Sequence, residues 1–427
     1  MSLTLSDAQT RAIAAIRDWY LNRTHAQQVF RVFGYAGVGK TTITAMAIEA
    51  LGLRPMTPGG LGGVIFAAFT GKAVHVMTQK GTPAQTIHSL IYRFSEATPE
   101  EIARVTEEMA TLERDLPRMG VAERTFAENQ IRQLKFRLDH IHEPRFVLNP
   151  QSALRDADLL VLDEVSMVGT DMAQDLLAFG KPILVLGDPG QLPPVKDTGF
   201  FTEATPDVML TEVHRQAAES PILQLATLAR EGRDIPFGAF DDQVWKMSRH
   251  EVSPAQMLHG GQVICGTHAT RRRLNTAMKG AAGFDADYPA GAGEKIICLR
   301  NRHDLGLING MFLHLSDVQA HPRNDRAFRA TVRTKDGTCI SGAQDFWRGE
   351  FDDHVRFDPD RHRREWMACR GLIQSSWGYA ITCHKAQGSQ YPTVIVVDDG
   401  FGHTAEERKR WLYTAITRAE SGLLILS

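Results

Sequence analysis

Lys40 and Thr41 follow a glycine directly in GYAGVGKTT (34–42), where Gly34, Gly39, Lys40 and Thr41 complete the pattern G-x-x-x-x-G-K-[ST]. Glycines let a backbone approach phosphate oxygens, lysine supplies a mobile positive charge, and a threonine hydroxyl can ligate Mg²⁺. The N–H groups of Gly37, Val38, Gly39, Lys40, Thr41 and Thr42 would line such a cradle. A second chemical pair, Asp163 and Glu164, ends the run LLVLDE (159–164). At the C-terminal end of a strand the aspartate can hold the Mg²⁺ water shell, and the glutamate can take a proton from attacking water. An Asp-Glu pair alone is usually a solvated strand end. Downstream of a complete phosphate loop it points to nucleoside triphosphate hydrolysis.

Positioning these groups requires a strand before the loop and a helix after it. VFRVF (29–33) is a β-rich run ending at Gly34, and TTITAMAIEAL begins after Lys40 with helix-forming composition. The turn between them aims N–H groups and the positive helix end at one point. GVIFAAF (63–69), LLVLDE and PILVLGD (182–188) are continuous apolar runs, as in parallel strands covered on both faces. The pattern restarts with QVICGT (262–267), TVIVVDD (393–399) and GLLILS (422–427), which predicts a second α/β domain.

Two stretches break this rhythm. At 92–150, Ile102, Val105, Met109, Leu112 and Leu116 recur at three- and four-residue steps. Ile131, Leu134, Leu138 and Ile141 repeat them after Pro117 and Gly120. Two such stripes meet in a helical hairpin, with IYRF (91–94) and RFVLN (145–149) as its two-stranded stem. Between 300–311 and 375–380, MFLHLSDV and FRATVRT alternate apolar and polar residues, and KDGT (335–338) carries a hairpin turn signal; this predicts a small β-barrel. DPDRHRREW (358–366) is a basic run, read as a solvated loop open to nucleic acid.

The chain has 427 residues, 43% hydrophobic and 23% charged, with a formal net charge of −2, so a nucleic-acid partner has to be held by a local groove. No run of 18 apolar residues appears, and the first residues carry no secretion-signal pattern. Five scattered cysteines without a C-x-x-C pair suit reduced thiols and a cytoplasmic location.

The ordered set LSDAQ (5–9), the phosphate loop, FTGKAV (69–74), TIHSLI (86–91), DEVSMV (163–168), LGDPGQLPPV (186–195), VHRQ (213–216), GYAITCHKAQGSQ (378–390) and YTAITRA (413–419) resembles the superfamily 1 helicases. The closest likeness is to the RecD-like and phage Dda-like branch (SF1B), which moves 5′ to 3′ on single-stranded DNA. The likeness runs from residue 5 to 419. It implies two tandem RecA-like domains, 1–91 with 151–196 and 197–306 with 376–427, closing on Mg²⁺ and ATP. It also implies an SH3-like insertion at 307–375. At 92–150, where relatives often place a strand-splitting β wedge, the helical arm is read either as extending or replacing that wedge or as a rigid strut without DNA contact.

By the same resemblance Gln9 reads the adenine edge and Gln191 senses the γ-phosphate. Arg215 and Arg418 are the arginine fingers, beside Lys40 and Glu164 in catalysis, and Gly388 and Gln390 face the nucleotide. The family usually has glutamate where Gln390 stands, which leaves nucleotide selectivity open. Thr70, Lys72, Thr86, His88, Thr382 and His384 are the implied DNA contacts, to phosphates rather than bases. The expected partners are single-stranded DNA and its junctions with duplex, with no membrane, other replication or repair proteins allowed for, and a monomeric chain. Two further readings stay open: an RNA-directed superfamily 1 helicase, and an ATP-binding subunit of a larger recombination complex.

Overall fold

The apolar runs lie side by side because each is covered by helices on both faces. In the computed structural model, which describes residues 5–24, 26–57, 59–95, 98–139, 145–194, 199–212, 219–284, 289, 291–334, 337–351, 369 and 371–427, they form two parallel sheets. The first has the order Ala84–Thr86, Val64–Ala68, Leu159–Asp163, Ile183–Gly187, Val29–Gly34 and Val208–Leu210, every pairing parallel. Helix Asp7–Asn22 leads into the first sheet; parallel neighbours require crossover connections, and helices Lys40–Ala50 and Gly71–Gln79 supply two of them. Ala12 and Ile16 from helix Asp7–Asn22, and Ile43 and Ala47 from helix Lys40–Ala50, pack on Val32, Leu184 and Leu186. Burying each large aliphatic side chain contributes about 1.5–3 kcal/mol. The outer strands Ala84–Thr86 and Val208–Leu210 are three residues each, too short to stand out as apolar runs.

The register brings Ala68 beside Asp163 and Phe33 beside Gly187. The C-terminal ends of four strands therefore share one edge, where open α/β sheets bind ligands.

The second sheet runs Ala380–Thr382, Gln262–Cys265, Tyr391–Val397, Ala419–Leu426, Val244–Met247 and Gly238–Ala239, parallel except for its last pair. Helix Ala405–Ile416 covers it, with Trp411 and Tyr413 buried. A third, antiparallel sheet runs Cys339–Trp347, Ala327–Arg333, Phe312–Ala320, Lys295–Cys298 and Ser375–Trp377. It takes in Lys295–Cys298 and Ser375–Trp377 as well as the three strands within 307–375. Its core includes Phe328 stacked on Phe346 at 5.0 Å between centroids, with Trp377 nearby in the same cluster. In the KDGT turn Gly337 has φ +87°, a conformation that favours glycine, while Lys335 and Asp336 lie outside the described residues.

Residues 1–86 and 156–427 form one compact unit, and 87–155 a second. Within the second, Tyr92–Ser95 pairs antiparallel with Arg145–Leu148. Helices Pro99–Asp115 and Val121–Asp139 are joined through a short turn containing Pro117. Val105 and Leu134 are buried between these helices, with Ile102, Met109, Leu112 and Leu138 around them. Ile131 is also buried, and Ile141 lies outside the described residues. Among the described residues no helix is long and apolar enough to cross a membrane. All five cysteines are free thiols, four of them buried.

Candidate nucleotide site and the residues around it

Strand Val29–Gly34 turns into helix Lys40–Ala50 through a loop with two left-handed glycines, Gly37 at φ +83° and Gly39 at +79°. Side-chained residues would be strained in both places. The loop borders a cavity of about 330 Å³. Its walls include Gly37 to Thr42, Asp163, Glu164, Asp188 and Gln191 from the first sheet's strand ends. Gly388, Ser389, Gln390, Thr417 and Arg418 close it from the second sheet's side.

Lys40 Nζ donates to the carbonyls of Gly34 at 2.5 Å and Tyr35 at 3.2 Å, which hold the ammonium at the loop mouth. The Thr41 hydroxyl donates to Asp163 Oδ2 at 3.4 Å, and Asp163 Oδ1 accepts the Glu164 N–H at 2.8 Å. Burial, and then the charge of Glu164, push the Asp163 carboxyl up to about 6. Glu164 has φ +54°, a left-handed conformation that is rare and costly without glycine, of the kind that clusters at functional sites. A half-buried aspartate beside a glutamate and a hydroxyl is a hard-oxygen donor set suited to a small divalent cation.

Gln191 is buried and accepts a hydrogen bond from Ser166 Oγ at 3.3 Å. Arg418 is 4% exposed. Its guanidinium donates to Thr414 O, Ser389 O and Thr417 Oγ1 at 3.0, 3.3 and 3.1 Å, beside the cavity. Gly388 has φ +69° and packs against the Thr70 hydroxyl. Arg215 lies outside the described residues. The segment 358–366 does as well.

Gln9 is tied to the phosphate loop. It does not line the cavity. Its amide donates to Val38 O at 3.1 Å and accepts from Ser6 N at 3.0 Å, inside a capping box at the start of helix Asp7–Asn22. In this structure Gln9 braces the phosphate loop from behind.

The six residues expected to face DNA are also placed by packing. The Thr70 and Thr382 hydroxyls cap the helices that follow them, accepting from Ala73 N and Lys385 N. Lys72 Nζ lies over the Tyr391 ring at 4.1 Å and within 5.3 Å of the Phe312 ring centre, and burial pushes the ammonium down to about 8. Thr86 ends an outer strand beside Ala68. His88 packs on Tyr92 and Phe146 at 5.8 and 5.6 Å, and burial lowers its pKa. His384 contacts Phe401, and burial together with nearby His268 lowers its pKa.

His268, Arg271 and Lys385 form a basic group around His384 that motif reading missed. Burial lowers the pKa of each, and Arg271 lowers both His268 and Lys385 further. Tyr35, Asp188 and Tyr413 were missed as well. Asp188 stands in the quoted LGDPGQLPPV and Tyr413 opens YTAITRA, so the motif boundaries held the signal.

A family model described as an AAA domain matches residues 4–245, and a model of the UvrD-like helicase C-terminal domain matches 378–426. An ATP-dependent RecD2 DNA helicase from Deinococcus radiodurans is 29% identical over 279 residues, 61% of this chain. The chain spans about a third, 35%, of that relative's length. Two solved structures share the fold. A Pif1 helicase at forked double-stranded DNA has a TM-score of 0.51 at 19% identity, covering 100% of this chain and 92% of that one. Bacteroides Pif1 bound to single-stranded DNA has a TM-score of 0.51 at 17% identity, covering 100% and 93%.

Proposed function

The chain belongs to the AAA-domain family, and we propose that it is a superfamily 1 helicase of the RecD/Pif1-like branch that couples ATP hydrolysis to 5′-to-3′ movement on single-stranded DNA and to separation of duplex. One observation carries this reading. Lys40, Asp163 and Glu164 from the first sheet share a cavity with Gly388, Gln390 and Arg418 from the second. A triphosphate held there would touch both sheets, so its cleavage would alter their spacing.

In this reading the loop N–H groups and Lys40 bind the phosphates, and an ammonium that among the described residues donates to two neutral carbonyls is open to an anion. Thr41 and Asp163 would hold Mg²⁺, which when bound neutralises phosphate charge. Glu164 orients water and accepts its proton, Gln191 senses the γ-phosphate, and Arg418 with Arg215 stabilises charge developing on it. Gln390 offers a neutral amide to the nucleotide sugar. Gln9 acts through the loop it braces. The basic group around His384 and Lys385 would grip phosphates without reading bases.

The helical arm at 92–150 acts as the wedge, and the antiparallel sheet is the counterpart of the SH3-like insertion. Relatives support the choice of DNA, since RecD2 is a DNA helicase and Bacteroides Pif1 is bound to single-stranded DNA, while the direction rests on the motif resemblance alone.

Partial duplexes with a 5′ or a 3′ tail test the proposal. Unwinding from 5′ tails only is expected, with Lys40→Ala abolishing DNA-stimulated hydrolysis. Turnover retained without Lys40 would overturn the site, and unwinding from 3′ tails only would overturn the direction. Stimulation by RNA homopolymers above DNA would favour the RNA-directed reading, and hydrolysis without strand separation the subunit reading.

A further inference from the structure

We propose that Tyr413 is a positioning residue for hydrolysis, holding the phosphate loop and the Asp188–Gln191 loop in register with the helix that delivers Arg418. The inference rests on the hydrolytic site proposed above and adds to it a residue that touches no reacting atom.

Tyr413 is 1% exposed, on the last turns of helix Ala405–Ile416, with Arg418 just beyond the helix end. Its hydroxyl donates to Asp188 Oδ2 at 2.7 Å and accepts the Ala36 N–H of the phosphate loop at 2.9 Å. Asp188 Oδ1 in turn accepts the Gly190 N–H at 3.0 Å, and the Gln191 N–H reaches Asp188 O at 3.2 Å. One oxygen therefore joins two segments that border the cavity, the phosphate loop and the Asp188–Gln191 loop, to the helix that carries it.

The surroundings leave the phenol little freedom. A Cβ on Gly190 would lie 2.9 Å from Tyr413 Cε1, so glycine is what lets the ring seat. The Tyr35 ring meets it edge-on at 6.2 Å, and the Arg230 guanidinium covers Tyr35 at 3.6 Å. One residue along the helix, Thr414 Oγ1 accepts the Leu192 N–H at 3.0 Å, and Gln387 Nε2 donates to Leu192 O at 2.8 Å. The loop after Asp188 is thus fastened to the second sheet's elements at consecutive points, with Tyr413 the only one of these that also reaches the phosphate loop. Burial, then the Asp188 charge, push the phenol well above its ordinary value, so it stays protonated and remains a donor.

Tyr413→Phe keeps the ring and removes the oxygen. The phosphates still meet Lys40 and the loop amides, so the KM for ATP should stay within about threefold while kcat falls about 10- to 100-fold. Acting through Arg418, the change should add less than about twofold to the loss already caused by Arg418→Ala, whereas independent effects would multiply. Gly190→Ala gives a second route, because it displaces the ring without removing the hydroxyl, and it should produce the same split. A folded Tyr413→Phe protein with a lowered melting temperature and unchanged kcat overturns the proposal, as does full multiplication with Arg418→Ala. Should Tyr413→Phe fail to fold, unchanged kcat in Gly190→Ala overturns it. Lys40→Ala serves as the separate control: if it retains turnover, the hydrolytic site itself is misplaced, and if it is inactive the Tyr413 result stands alone.

Discussion

The Thr41 hydroxyl lies 3.4 Å from Asp163 Oδ2, joining the first turn after the phosphate loop to a strand end 122 residues later. The carboxyl there sits at about 6 against 3.8 when unfolded. Between those values the folded chain holds more protons than the unfolded one. The stability this contributes is full below 3.8 and lost as pH rises through about 6. Asp163→Asn removes the charge. Its nucleotide-free melting temperature should therefore exceed that of the parent at pH well above 6, with the gap closing in acid, while hydrolysis is lost. A lower melting temperature at neutral pH contradicts this account of Asp163.

Lys72 makes the opposite prediction. Its folded value of about 8 lies below the unfolded 10.5, so the unfolded chain binds the extra proton across that window and stability should rise with pH there. Lys72→Met should flatten this rise in urea titrations. Because the ammonium faces Tyr391 and Phe312, the salt dependence of DNA binding should stay unchanged. A slope smaller by about 1 would instead place Lys72 on a phosphate.

At Gly388 the positive φ and the Thr70 hydroxyl both oppose a side chain. Gly388→Ala should cost about 1–2 kcal/mol from backbone strain alone. It should also lower kcat/KM for ATP, because the contact with Thr70 lies beside the cavity. A neutral urea midpoint with unaltered kinetics would show that neither constraint matters.

Residues 87–155 form their own unit with a packed helical pair, so removing 98–142 is expected to leave the nucleotide site folded. If the arm is the wedge, unwinding of a 5′-tailed duplex fails while DNA-stimulated hydrolysis continues. Unwinding at the parental rate would reduce the arm to a strut.

Much of this site was legible where chemistry is written in consecutive residues. The phosphate loop and the Asp-Glu strand end came from short motifs whose geometry is local. Gln9, Lys72 and His88 show where such reading stops. Each is a polar residue in a matching motif, yet Gln9 bonds to Val38 and Ser6, Lys72 lies against Tyr391, and His88 packs on Tyr92 and Phe146. A motif states which groups are present, and side-chain packing decides what they face. The strands Ala84–Thr86 and Val208–Leu210 escaped for a related reason. At three residues each, they exist because a neighbouring strand already offers its edge.

The sequence by itself determined the phosphate loop, the apolar strands that lead into it, and the stripes that pair the two arm helices, because each depends on residues within a few turns of one another. Only the tertiary structure decided that Tyr413 bonds to Asp188, 225 positions away, and to the Ala36 amide. That link depends on how two sheets and their covering helices pack. It also requires room beside Gly190, where a single methyl group would fill the space the ring needs.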